Sequence, residues 1–377
     1  MILNPFPSLP LWLNLIIGGI AAAAIWYAGT RLERYTDAIS KRTGLGKAFL
    51  GLLILATVTS LPELATTVTA VLADNVDLAV HNLLGGVVAQ TTVLALADIY
   101  FRKGALTHFT PNFVLLVQGV GLIMLLATAL IAIILAGTMT LTVTVQDSTL
   151  TFNPVPWSLL VLFLIVLYLT HRHEGYVRWR PTDAPVLATT PPVAQVGDGV
   201  GSDSDAGEEE NDEENEREER SLTTLLLHLV LASLGVLVAG WAVASIGDTL
   251  AEQTGLGSSF IGFTLVSLAT SLPEVSTVLA AIRDDNYSMG VSNIFGSNSF
   301  DVTLLFVVAI LSGGPALLFE AEPTSAMYAA ALGIFMTGVY MWGLLEREDR
   351  TFLGIGWDSL VTVLFYLLGT ATIFLLR

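Results

Sequence analysis

Residues 43–94 and 254–305 are two copies of one segment, aligned without a gap at an offset of 211 residues. TGLGKAFLG (43–51) lies on TGLGSSFIG (254–262), TSLPE (59–63) on TSLPE (270–274), and HNLLGG (81–86) on SNIFGS (292–297). Twenty of the 52 aligned positions are identical, and they include Thr, Ser, Pro, Glu, Asp and Asn, which apolar similarity alone would not hold in register. One supersecondary unit is therefore built twice, and the fold has to relate the two units to each other.

Both copies lie in apolar surroundings. Of 377 residues, 53% are hydrophobic and only 13% charged, against about 25% charged in ordinary soluble domains. A bilayer-spanning helix needs about 20 apolar residues. Ten stretches qualify, near 8–28, 46–72, 77–98, 112–136, 155–171, 222–245, 258–282, 288–312, 325–345 and 357–376. They are too long and too evenly apolar for barrel strands, and a helix satisfies its own backbone in hydrocarbon. The expected fold is an all-α polytopic membrane protein with ten transmembrane helices.

Fifteen of the 16 Lys and Arg residues fall on one side of this layout, and only Arg377 falls on the other. The positive-inside rule makes the basic side cytoplasmic and puts both termini outside a cell membrane. The first residues carry neither a basic n-region nor a small-residue cleavage site, so no signal peptide is read. Each half holds five spans, an odd number, so the second copy enters the bilayer from the opposite face. The expected organisation is two inverted five-helix halves, 1–171 and 222–377, joined by a cytoplasmic loop at 172–221. Inverted repeats of this kind build secondary transporters around a midplane site.

The loop begins with Pro181, Pro185, Pro191 and Pro192, and residues 198–220 hold 12 acidic residues against two Arg. Such a run cannot bury enough apolar surface to fold and reads as a disordered tether. The chain has no cysteine and five scattered histidines, which excludes thiolate chemistry and a histidine metal cage. A net charge of −17 argues against a nucleic-acid partner. The lipid bilayer is the one large partner implied; no obligate protein partner is evident.

Glu63 and Glu274 fall deep inside apolar spans. A charge there costs about 2.5–3.5 kcal/mol on insertion scales and normally serves transport or has a partner. No Lys or Arg lies at comparable depth, so a bound cation or a proton has to neutralise them. Two carboxylates brought together by inversion suit a divalent cation with hard oxygen ligands, as Ca²⁺ prefers. Pro62 and Pro273 precede the glutamates and break helical hydrogen bonding to the carbonyls near Val58–Thr59 and Ala269–Thr270. Thr59 and Ser60 share a helix face with Glu63, as Thr270 and Ser271 do with Glu274.

Asp301 is a third acidic residue deep in a span, with Ser297 one turn before it. Their counterparts are Gln90 and Gly86, so the repeat is broken where the chemistry sits. Asp98 and His81 read as structural, and Gly85, Gly86 and Gly296 as close helix packing.

GLLILATVTSLPELATTVTA (51–70) and GFTLVSLATSLPEVSTVLAA (262–281) resemble the two alpha repeats of the cation/calcium antiporter superfamily, especially of prokaryotic sodium/calcium exchangers. SNIFGSNSFD (292–301) resembles the second part of that repeat. The resemblance implies an antiporter that exports Ca²⁺ against entering Na⁺ by alternating access, with no resident cofactor. It implies four cation positions at mid-membrane. Glu63, Glu274 and the carbonyls of Thr59 and Thr270 match the Ca²⁺ ligands. Ser267, Thr270, Ser271, Glu274 and Ser297 match one Na⁺ position, and Ala56, Thr59, Ser60 and Glu63 match its mirror. Asp301 matches a central acidic residue that stays protonated. Gly86 replaces the mirror serine, Gln90 an asparagine and Val87 another. These departures bear on stoichiometry and bring in H⁺/Ca²⁺ exchange as the alternative.

An intramembrane enzyme and a channel are weaker readings: there is no HExxH or GxSxG motif, and the acidic run lacks EF-hand spacing. Deleting residues 198–220 and joining the ends with a flexible linker is expected to leave insertion and Ca²⁺ flux unchanged in proteoliposomes. A correctly inserted but inactive deletion variant would give the loop a gating role instead.

Overall fold

The computed structural model describes residues 5–43, 59–101, 104–110, 112–135, 141–145, 148–152, 154–173, 222–283, 287–312, 323–346, 348–352 and 354–376. Along the chain run α1 (Leu11–Thr43), α2 (Leu61–Leu72), α3 (Val76–Phe101), α4 (Phe113–Leu135), α5 (Pro154–His173), α6 (Leu222–Thr254), α7 (Ser258–Thr270), α8 (Leu272–Arg283), α9 (Tyr287–Leu311), α10 (Pro323–Glu346) and α11 (Trp357–Leu376). Among the described residues, eight helices are long and apolar enough to cross a membrane, and α7 with α8 forms an apolar pair of spanning length bent by 47°, a broken span or a re-entrant loop. The chain is a multi-pass helical membrane protein. The tenth expected span, 46–72, is represented by the 12 residues of α2; residues 44–58 lie outside the described residues, as does the acidic run.

Two details depart from the all-helical expectation. Residues Leu141–Val145 (β1) and Ser148–Phe152 (β2) form an antiparallel hairpin, and Thr351–Phe352 (β3) pairs with Ile355–Gly356 (β4). LTVTV and STLTF are rich in β-branched Thr and Val, which favours strand over helix between two spans. In addition, α1 and α6 run well past the expected limits near 28 and 245. No proline follows within either helix, Gly29 and Gly247 are accommodated inside them, and charged residues alone do not end a helix. At 33 residues each, both reach about 50 Å.

Burial separates the helices by role. The apolar window of α3 is 83% buried and that of α9 67%, whereas those of α1 and α6 are 17% buried. The two long helices lie antiparallel on the outside, with Asn14 bonded to Gln253 at one end and the Tyr35 ring 5.4 Å from His228 at the other. Trp12, Ile20, Tyr27, Leu227, Leu231 and Val238 stand exposed along them, a surface suited to lipid. The ends from which the basic segments depart gather on one face. There Phe101 meets Tyr287, Phe113 meets His173, and Ala105 N–H donates to Asp349.

The offset of 211 residues reappears as contact. Asn298 Nδ2 donates to the Val87 carbonyl at 3.4 Å, and Gln90 Nε2 donates to Asp301 Oδ2 at 3.1 Å. In both pairs each residue touches its own repeat counterpart. That can happen only on a pseudo-two-fold relation between the copies, which therefore passes between α3 and α9. The same offset pairs Gly29 of α1 with Gly240 of α6, outside the aligned segments. A Cβ on Gly29 would come within 2.6 Å of Pro273 Cγ, and one on Gly240 within 2.6 Å of Ala65 Cβ. The outer helices thus rest on the glutamate-bearing helices at equivalent points.

Gly85 of α3 is pressed against backbone. A Cβ there would sit 2.6 Å from both Cα and the carbonyl oxygen of Phe263, whereas at Gly19 nothing lies within 4 Å. Gly85→Ala is expected to cost about 1–3 kcal/mol through overpacking, and Gly19→Ala nothing. Melting temperatures of the purified variants in detergent check this; equal melting would show that α3 and α7 do not touch as described.

Candidate functional site

The two TSLPE motifs take the same local shape. Ser60, before α2, has φ −87° and ψ 13°; Ser271, between α7 and α8, has φ −81° and ψ 7°. Neither angle pair continues a helix, and in each case proline follows two residues later with no N–H to offer. The hydrogen-bond ladder resumes at once: Leu64 N–H reaches the Ser60 carbonyl at 3.0 Å and Val275 N–H the Ser271 carbonyl at 3.3 Å. Each glutamate is thereby held in the first turn of a new helix that starts inside the protein. Upstream, residues 262–266 of α7 form a π-helical turn, a feature that often marks functional sites.

A matched pair of polar rails fixes these turns. Thr66 Oγ1 donates to the carbonyls of Pro62 and Glu63, and Asn82 Nδ2 of α3 donates to Thr66 at 2.9 Å. Offset by 211, Thr277 Oγ1 donates to the Glu274 carbonyl at 2.9 Å, and Asn293 Nδ2 of α9 donates to Thr277 at 2.7 Å. Sequence reasoning did not single out these four residues, although all are identical between the copies. That identity was the available signal.

Glu63, Glu274 and Asp301 all have 0% exposure, and their charges lie close enough to oppose one another. Among the described residues no Lys or Arg pairs with any of them. Around Ser297 the candidate residues converge. Its hydroxyl donates to Glu274 Oε1 at 3.0 Å and lies 3.3 Å from both Thr59 Oγ1 and Ser60 Oγ. Thr59 also faces Glu274, and Ser60 faces Asp301.

The mirror corner is built differently. Gly86 stands where Ser297 stands in the other copy and offers no hydroxyl. Thr270 faces Glu63, but its hydroxyl goes to Asn82 Oδ1 and to the Ser267 carbonyl. Neither oxygen of Glu63 accepts a hydrogen bond. Gln90 Nε2 bonds Ser271 Oγ at 3.2 Å as well as Asp301, and its Oε1 is buried without a partner.

Four carboxylate oxygens, both of Glu63 with Glu274 Oε2 and Asp301 Oδ1, are thus buried with no donor. Orphaned buried oxygens of this kind call for an ionic or protonic partner. No three Asp, Glu, His or Cys side chains among the described residues are arranged to hold a metal by themselves. A cation here would share the carboxylates with hydroxyl, amide and carbonyl oxygens.

Other expected positions fall elsewhere. Ser267 is buried, but its hydroxyl donates to the carbonyls of Phe263 and Thr264 within α7. Ala56 lies outside the described residues. Gly86, expected to serve close packing, is not required for it: a Cβ there would make an ordinary contact with Asp301 Oδ2 at 3.8 Å. His81 bridges the Asp77 carbonyl and Ser325 Oγ, at 2.9 and 2.8 Å, which ties α3 to α10. Asp98 is buried at 0% exposure and accepts N–H groups from Leu106 and Gly356, both at 2.7 Å.

The sequence profile of the sodium/calcium exchanger protein family matches residues 13–171 and 224–375. The inner membrane protein YrbG of Escherichia coli is 23% identical over 333 residues, 88% of either chain. Among solved structures, the H⁺/Ca²⁺ exchanger CAX superposes with a TM-score of 0.61 at 15% identity, covering 96% of this chain and 86% of its own. The sodium-calcium exchanger NCX_Mj superposes with a TM-score of 0.56 at 19% identity, covering 96% and 99%. These likenesses are ones of fold, and they join a sodium-coupled and a proton-coupled exchanger.

Proposed function

The chain belongs to the sodium/calcium exchanger protein family, and on that premise we propose that it is a secondary active antiporter exporting Ca²⁺ in exchange for Na⁺. The observation that carries this reading is the set of four donor-less carboxylate oxygens on Glu63, Glu274 and Asp301, buried with no Arg or Lys partner among the described residues. Removing such charges from water is expensive unless they are paired. A transported cation supplies the pair and loses it on release, so the site is stable loaded and strained empty. Ca²⁺ accepts oxygen ligands in flexible number, and the two glutamates, the hydroxyls of Ser60 and Ser297, Gln90 Oε1 and the broken-helix carbonyls offer them. Na⁺ competes for the same glutamates. Exclusive occupancy by one ion type or the other couples the two fluxes.

Access alternates when α1 and α6 move against the buried helices, carrying the glycine contacts at Gly29 and Gly240 past Pro273 and Ala65. Small residues at such contacts let helices slide closely. In this reading the chain makes ten spans as two inverted five-helix halves in the cell membrane. The termini lie outside, and the basic face and the acidic 172–221 loop lie in the cytoplasm. The ions are cargo, and no resident cofactor takes part. A proton-coupled H⁺/Ca²⁺ exchanger is the second reading, favoured by one observation: Gly86 leaves Glu63 without the hydroxyl that Ser297 gives Glu274.

Radioactive Ca²⁺ uptake into proteoliposomes under outward Na⁺, K⁺ or H⁺ gradients tests both. Uptake driven by outward Na⁺ and not K⁺ is the expected result; uptake driven only by H⁺ makes the second reading correct. Glu63→Gln and Glu274→Gln are each expected to reduce uptake to background while inserting normally, since removing an intramembrane charge does not penalise insertion. Sustained uptake in either variant would take that glutamate out of the cation path.

A further inference from the structure

The repeat assigns every group at the site a counterpart, so the two corners can be compared atom by atom. Beside Ser297 lie Glu274, Asp301, Thr59 and Ser60: two carboxylates and three hydroxyls. The counterparts are Gly86, Glu63, Gln90, Thr270 and Ser271: one carboxylate, two hydroxyls and an amide. One carboxylate has become a carboxamide, and one hydroxyl has disappeared.

The amide does more than lower the charge. A Cβ on Gly86 would lie 4.0 Å from Gln90 Nε2 and 4.0 Å from Ser271 Oγ, so the Gln90 NH₂ group stands beside the space that a mirror serine hydroxyl would use. It donates to Ser271 Oγ and Asp301 Oδ2. A hydroxyl has lone pairs for a cation, while an NH₂ group has only protons to present. The Ser271 oxygen turned toward it is also engaged.

We propose that Gln90 is a specificity-determining residue whose amide nitrogen plugs the corner formed by Gly86, Glu63, Thr270 and Ser271, leaving the Ser297 corner as the one place that takes an alkali cation. The inference rests on the Ca²⁺ antiport reading and deepens it: this chain exchanges Ca²⁺ against fewer Na⁺ than a two-cornered site would use. Gln90 Oε1, which accepts no hydrogen bond, remains available to the divalent ion. One side chain therefore blocks the monovalent cation with its nitrogen and serves the divalent one with its oxygen.

The test is equilibrium displacement of radioactive Ca²⁺ by Na⁺ on the purified full-length protein in detergent. The parent is compared with Gly86→Ser, which adds the hydroxyl but keeps the plug, and with Gly86→Ser/Gln90→Asn, which also withdraws the amide by one methylene. A Cβ built at residue 86 meets its nearest atom at 3.8 Å, so the backbone there accepts a side chain without a Cβ clash. The double variant is expected to steepen the Na⁺ dependence by about one in Hill slope, because the slope is bounded by the number of sites, while Gly86→Ser alone stays near the parent. A double variant no steeper than the parent overturns the proposal, as does Gly86→Ser matching the double. Ser297→Gly, which empties the other corner of its hydroxyl, is expected to flatten the parent slope and raise half-displacing Na⁺; an unchanged curve also overturns it. If the parent binds no Ca²⁺, the antiport reading fails instead. Radioactive Na⁺ binding to the same proteins then decides the corner: one more Na⁺ per chain in the double variant supports the plug, and equal binding sinks it.

Discussion

Three carboxylates share a buried interior with no cationic side chain paired to them among the described residues, and most of the polar structure around them exists to hold them there. Coulomb repulsion between buried like charges is strong at low effective dielectric, so the helices carrying them need restraint from outside the pair. The restraints come in matched sets. Pro62 and Pro273 start the glutamate helices inside the protein; Thr66 and Thr277 tie the glutamate carbonyls; Asn82 and Asn293 tie those threonines to the neighbouring spans. Gly85, pressed on the Phe263 backbone, lets α3 approach close enough for Gln90 to reach Ser271 and Asp301 together. With the protein scaffold so fixed, the element left to respond to charge is the ion.

The duplication explains both the symmetry and its failure. Supports repeat faithfully: bends, rails and glycine seats recur at an offset of 211 residues. Ligands do not, since Ser297 faces Gly86 and Asp301 faces Gln90 across the pseudo-two-fold. A symmetric scaffold suits alternating access, because inverted halves can exchange conformations at equal cost. An asymmetric ligand set suits discrimination between ions, because each corner can be tuned without disturbing the frame. The Gln90–Asp301 contact lies on the axis itself, so a change at either residue is felt by both halves.

Much of this was legible in the sequence, and what was missed has physical reasons. TSLPE in duplicate gave the register, the prolines and the glutamates, and apolar length gave the eight spans found among the described residues. The rails were hidden because Thr66, Thr277, Asn82 and Asn293 resemble ordinary helix-lining polar residues; only their identity across the copies marks them. The Gly29–Gly240 correspondence was invisible because α1 and α6 face lipid, where any apolar residue serves and identity decays. Gly86 reads as packing in the sequence, yet a Cβ there would meet its nearest atom at an unstrained 3.8 Å. Glycine alone does not say whether space is filled or left open. The direction of the Gln90 amide depends on Asp301 and Ser271, which arrive from the other half of the chain, so no local pattern could give it.

Burial alone does not make a carboxylate functional, and this chain contains the internal control. Asp98 and Asp358 are buried at 0% and 1% exposure, as deep as Glu63. Asp98 accepts N–H groups from Leu106 and Gly356, and Asp358 accepts from Thr107 and from its neighbour Ser359 N–H. Every oxygen of that pair has a donor, and the donors come from two loops that the carboxylates staple together at the basic face. Donor-satisfied carboxylates are rigid joints, because exchanging a partner would orphan backbone N–H groups at about 1–3 kcal/mol each. Glu63 has no donor at all, and Glu274 and Asp301 have donors on one oxygen each. A cation can bind to and leave these oxygens without breaking backbone hydrogen bonds. The distinction between joint and ion site in this protein therefore lies in the count of fixed donors, and burial is common to both.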